Sequence, residues 1–146
     1  METLVEEQGD LFDLDDSWSL AHCVGADLIM GKGIAVEFKK KFGNVDWLLQ
    51  QNGKVGQTIL MNKSIANRNV FYMITKPWSR SSKPTYDNIQ KCIIDLFNQA
   101  KAAEIRKIGM PKIGCGLDGK DWDQVKKLII KHQPPEIQIV IRYISN

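Results

Sequence analysis

This 146-residue sequence is short of several features at once. It has no CxxC pair, and its two histidines, His22 and His132, stand far apart, so no zinc site is expected. Three cysteines, an odd number without paired spacing, argue against a disulfide framework and suit a reducing compartment. No run approaches the ~20 apolar residues of a membrane helix. The acidic start METLVEEQGD lacks the apolar centre of a signal peptide. There is no internal repeat and no low-complexity linker. A large excess of one charge is also missing: the net value of +3 mildly favours anionic ligands without a histone-like excess. These absences lead us to expect a soluble intracellular protein, a single domain over residues 1–146 that buries roughly 70% of its unfolded surface.

What is present is an alternation of two periodicities. Ser19 to Val24 reads as a buried strand, Gly33 to Phe42 as a helix with Ile34, Phe38 and Phe42 at helical spacing, and Val45 to Gln51 as a second short helix. Gln57 to Met61 and Val70 to Thr75 read as strands joined through the polar Ala66-Asn67-Arg68-Asn69. Pro84 is expected to open a long helix to about Ala103, with Asp87 at its positive end. Lys107 to Met110 reads as a strand, Trp122 to Lys131 as a helix, and Ile137 to Ile144 as a last strand alternating at Ile137, Ile139, Ile141 and Tyr143. Strands alternating with helices predict a layered α/β domain, with a ligand crevice at the strand carboxyl ends.

Two glycine-spaced loops occupy that edge. Lys112 to Gly119, KIGCGLDG, carries three glycines in six residues and leads from a strand toward a helix N-terminus. Met30-Gly31-Lys32-Gly33-Ile34-Ala35 opens another helix. Bare backbone at helix starts supplies N–H donors to phosphate, and two such loops can grip a diphosphate between them. Neither has the GxxxxGK[ST] spacing of a P-loop, and Gly31-x-Gly33 lacks the third glycine of a dinucleotide fingerprint. For each loop, a plain turn remains as good a reading as ligand contact.

The order of motifs goes further. Gly9-Asp10-Leu11-Phe12, Ala21-His22-Cys23, Met30 to Ala35, Phe38 to Gly43, Lys83-Pro84-Thr85-Tyr86 and Pro111 to Asp118 together resemble the macrodomain superfamily. More narrowly they resemble terminal ADP-ribose protein glycohydrolases, also described as O-acetyl-ADP-ribose deacetylases. His22-Cys23-Val24 and Gly31-Lys32-Gly33 stand where other macrodomains carry an asparagine-rich segment and a triple glycine. That departure points to the branch that uses a lysine.

The resemblance implies a three-layer α/β/α sandwich with a central mixed sheet, and an enzyme that removes mono-ADP-ribose from glutamate or aspartate side chains and deacylates O-acetyl-ADP-ribose. It implies Lys83 as nucleophile and Asp118 as acid/base beside the distal ribose. Asp10 would accept from the adenine amine, although on its own Asp10 reads as a turn cap. Leu11, Gly31, Gly33, Ile34, Ala35, Gly114, Cys115, Gly116 and Leu117 complete the expected substrate contacts. The Leu11 and Phe12 side chains themselves read as core. No cofactor is implied. The expected partners are ADP-ribose and ADP-ribosylated proteins, for a monomer of the nucleus and cytoplasm with no membrane contact. A non-catalytic ADP-ribose reader and an ADP-ribose-1''-phosphate phosphatase are the alternatives.

Other conspicuous residues have plainer readings. Cys115, small and between two glycines, needs no nucleophilic role. Lys39-Lys40-Lys41 allows weak contact with poly-ADP-ribose or nucleic acid, but reads first as the solvated face of its helix. Trp47 and Trp122 read as core or half-core. Trp78 is either a cover near the ribose or an anchor for its own loop.

Overall fold

The apolar runs in the middle of the chain become strands covered on both faces. The computed structural model describes residues 3–62 and 64–144. Its strands are β1 (Leu4–Gln8), β2 (Ser19–Gly25), β3 (Thr58–Met61), β4 (Val70–Lys76), β5 (Lys107–Met110) and β6 (Gln138–Tyr143). They form one sheet in the order β1-β6-β5-β2-β4-β3, parallel throughout except for β3, which runs antiparallel to β4. On β4, Val70, Tyr72 and Ile74 meet Phe38, Phe42 and Leu48 on one side. Phe71 and Met73 meet Ile89, Ile93 and Leu96 on the other. On β6, Ile139 and Ile141 face the second cluster and Val140 the first. Parallel sheets need this two-sided cover, and each fully buried Ile or Phe stabilises by about 1.5–3 kcal/mol.

The helices supply the cover: α1 (Ile34–Phe42) and α2 (Val45–Gln50) on one face, α3 (Tyr86–Ala102) and α4 (Trp122–His132) on the other. The result is the expected α/β/α sandwich with a mixed sheet. In α1 the buried Phe38 and Phe42 sit four residues apart, and Lys39, Lys40 and Lys41 crowd the last turn, where the helix dipole favours cations. Gly43, at φ +59, ends the helix by returning its N–H to the Lys39 carbonyl. In α3 the buried positions Ile89, Cys92, Ile93, Leu96, Phe97 and Ala100 make a continuous stripe.

Three readings need correction. The helix expected from Pro84 begins at Tyr86, because the Thr85 side chain accepts from the Asn88 N–H at 3.0 Å and so acts as the N-cap. Lys83 therefore lies on an extended approach to the helix. Strand β1 was missed, since LVEEQ shows two adjacent glutamates. They are satisfied from other elements: Glu6 by Trp122 and Lys126, Glu7 by Arg142. Trp47 is 39% exposed, so it is neither core nor half-core. Trp122 is half-buried against the second cluster, as expected. No helix among the described residues is long and apolar enough to cross a membrane.

Candidate functional site

Because β1, β6, β5, β2 and β4 are parallel, their carboxyl ends share one edge, and the segments leaving them enclose a cleft of about 970 Å³. Gly9 to Phe12 line it after β1, Ile29 to Ala35 after β2, Lys76 to Lys83 in part after β4, Pro111 to Asp118 after β5, and Arg142 to Ile144 at the end of β6. The two glycine loops flank the junction between β5 and β2, from which the chain departs in opposite directions along the sheet. Every substrate-site residue expected from the sequence lines this one cleft.

The first wall is the segment from Gly25 to Gly33. Leu28 and Met30 hold left-handed backbone, φ 54 and 50, unusual for such side chains, and both side chains are buried. Asp27 locks the segment to the loop that follows the neighbouring strand β4. Its carboxylate accepts from the Ser79 N–H at 2.8 Å and from the Ser79 hydroxyl, and also from the Ile29 N–H. Burial works against the charged Asp27 carboxyl, but these bonds and the nearby Lys76 charge hold it below the usual carboxylate range. At Gly33, φ +63, the chain turns into α1 with no side-chain cap; Val36 N–H returns to the Gly33 carbonyl, and the N–H groups of Ile34 and Ala35 remain open.

The second wall, Pro111 to Lys120, leads toward α4, which starts at Trp122 as expected, and Asp121 caps that helix by accepting from the Asp123 N–H. The wall's own donors are amides of the loop. Cys115 N–H turns back to the Lys112 carbonyl and Lys120 N–H to the Gly114 carbonyl, which leaves Gly116 and Leu117 exposed at the rim. Gly114, at φ +74, makes this turn. Burial pushes the Cys115 thiol up to about 11, and its sulfur donates to the Ile113 carbonyl, which makes it a poor nucleophile.

At one end of the cleft Asp10 caps a 3₁₀ turn, Leu11–Asp13, its Oδ1 accepting from the Phe12 N–H at 2.9 Å. The plain reading thus accounts for one carboxylate oxygen, while the residue stays exposed and lines the cleft. Leu11 is a buried core residue, while Phe12 is half-buried and packs edge-on to Phe38 at 5.0 Å, and both also reach the wall. Arg142, paired with Glu7, donates to the Asp10 carbonyl and braces this turn.

At the other end Lys83 and Asp118 come together but do not pair. Lys83 Nζ donates to the Leu117 carbonyl at 2.6 Å. Asp118 Oδ1 instead accepts from Lys76 Nζ at 2.7 Å. Lys76, Asp27, Ser79 and Arg142 were not anticipated. Lys76 had a visible signal, as the first charged residue after the apolar run of β4, at a strand carboxyl end. Trp78 is 59% exposed, and its backbone is bracketed by the Ser82 hydroxyl, so it belongs to its own loop.

The three-layer fold thus brings uncapped amides, glycine loops and a lysine–aspartate cluster around one cleft. The macro domain family model matches residues 21–129, and the chain belongs to that family. It is 43% identical over 122 residues to human ADP-ribose glycohydrolase OARD1, covering 84% of this chain and 78% of that protein. Among solved structures it superposes on the macrodomain of Mycobacterium tuberculosis DarG with a TM-score of 0.85 at 23% identity, over 97% and 98% of the two chains. A structure described as Thermosipho africanus DarTG in complex with ADP-ribose matches with a TM-score of 0.77 at 21% identity, over 94% of this chain and 41% of that one.

Proposed function

We propose that this macrodomain binds ADP-ribose in the cleft and hydrolyses its bond to glutamate or aspartate side chains, and that it also deacylates O-acetyl-ADP-ribose. Lys83 is the nucleophile and Asp118 the proton carrier. The observation that carries the reading is their joint placement at one end of a cleft whose middle is walled by open amides. A reader of ADP-ribose would need neither residue. The name borne by the human relative, an ADP-ribose glycohydrolase, agrees with it. In this reading the amides of Ile34, Ala35, Gly116 and Leu117 hold the pyrophosphate, and the free oxygen of Asp10 takes the adenine amine.

The chemistry suits a carboxylate leaving group. Lys83 sheds a proton, which passes to the free oxygen of Asp118 directly or through water. The amine forms a C–N bond to the anomeric carbon as the C–O bond breaks, and the carboxylate leaves with the electron pair. The nitrogen then gives up a proton to water, the bond from that carbon to the ring oxygen breaks as the oxygen takes the proton held by Asp118, and the open ribose is left as a lysyl imine. Water then adds to the same carbon, the C–N bond breaks, and lysine and free ADP-ribose are restored. We place the protein in the nucleus and cytoplasm, acting as a monomeric single domain on ADP-ribosylated proteins. The proposed contact of Lys39, Lys40 and Lys41 with poly-ADP-ribose or nucleic acid has less support. Lys39 is drawn to the Ile29 carbonyl and Lys41 over the Phe12 ring, so the run does not present one patch.

The test uses a peptide carrying ADP-ribose on glutamate. Wild type releases free ADP-ribose, and borohydride added during turnover fixes one ADP-ribose on Lys83. Lys83→Ala binds ADP-ribose but releases almost none and traps none. Full turnover by Lys83→Ala would end the covalent mechanism.

A further inference from the structure

A lysine that attacks carbon must first become a free amine, and a carboxylate paired with it would favour the ammonium. A second lysine lies beside that carboxylate. Lys76 ends β4, in register with Gly25 of β2. Its Nζ lies 2.7 Å from Asp118 Oδ1, and the two side chains are only 13% and 15% exposed. Surface ion pairs are mobile and contribute little, but this one is enclosed on the cleft wall and set at the end of a buried strand. Lys83, by contrast, is exposed and meets a neutral acceptor, the carbonyl of the residue just before Asp118.

We propose that Lys76 is a positioning residue of the reaction. It holds Asp118 by Oδ1, keeps that carboxylate from pairing with Lys83, and leaves the second oxygen for the proton that Lys83 releases. The inference rests on the roles given above to Lys83 and Asp118. Lys76 itself exchanges no proton and forms no bond to substrate. Without it, Asp118 turns to the remaining cation within reach, Lys83, and the attacking amine is held as ammonium.

The experiment compares Lys76→Met and Lys76→Arg on the glutamate-linked mono-ADP-ribosylated peptide. Lys76→Met should keep its affinity for ADP-ribose and its KM, while kcat falls on the order of 10²-fold, the scale of a misplaced catalytic group. Lys76→Arg, which keeps the cation, should recover most of that loss. In an Asp118→Asn background, Lys76→Met should cost nothing further, because the two residues act as one unit. Where Lys76→Met fails to bind ADP-ribose, Lys76→Gln is judged by the same kcat criterion. A wild-type kcat in Lys76→Met, an undiminished loss in the Asp118→Asn background, or a borohydride adduct on Lys76 would overturn the proposal. Failure of the underlying reading looks different: Lys83→Ala would then turn over at the wild-type rate, and both proposals would fall.

Discussion

His22 is fully buried between β2 and α1, its ring stacked on Phe38 at 3.7 Å and edge-on to Tyr72 at 5.0 Å. Among the described residues neither ring nitrogen has a hydrogen-bond partner. Burial moves its titration from the ordinary value near 6.5 down to about 3, so the folded protein holds a neutral imidazole. The sign follows from linkage. Between about 6.5 and 3 the unfolded chain takes up a proton that the folded one refuses, so stability contributed by neutral His22 is complete above 6.5 and declines as the pH falls. His22→Leu keeps an apolar side chain on Phe38 and removes that proton. Urea unfolding of the ligand-free proteins should show a shallower acid decline in the variant, by at most about 1.4 kcal/mol per pH unit. Parallel declines would mean that His22 titrates normally. The sequence marked His22 as a departure from its family's asparagine-rich segment, but gave no sign that Phe38 and Tyr72 would enclose it.

At the scale of elements, the KPTY stretch divides into two jobs. Lys83 faces the cleft, whereas Thr85 two residues later caps α3 and touches the site only through the helix it starts. Thr85→Ala should lower stability by about 1 kcal/mol in denaturant unfolding, Thr85→Ser should restore it, and ADP-ribose affinity should hold through both. Loss of affinity in a folded Thr85→Ala protein would assign the hydroxyl to the ligand instead. Elements carried by their own periodicity, such as α3, β4 and β5, were legible in the sequence to within a residue or two. Strand β1 was not, because its glutamates are answered by α4 and β6, far away in sequence. The same limit hid the Lys76–Asp118 pair and the Asp27–Ser79 lock, each made between segments more than 40 residues apart. Motif order could gather the cleft residues, but only the folded backbone assigns their partners.

For the whole molecule, a ligand lying across the cleft would touch segments leaving five strands and would bind only the folded state. At a concentration a hundred times its Kd, ADP-ribose should therefore add about 2.7 kcal/mol of stability. For a chain of this size that is a rise in Tm of about 5–11 °C. Two glycines separate this linkage from the fold itself. At Gly116 a Cβ would meet nothing within 4 Å, and the backbone lies outside the left-handed region, so Gly116→Val fills only the cleft. At Gly33 the backbone is at φ +63 and a Cβ would lie 3.5 Å from Leu117 Cδ1, so valine there strains the start of α1 as well. Thermal melts should find Gly116→Val with the ligand-free Tm of wild type and no response to ADP-ribose. Gly33→Val should melt lower even without ligand. A Gly116→Val protein that still gains the full shift would remove the second glycine loop from the binding site and leave the pyrophosphate to the amides of α1 alone.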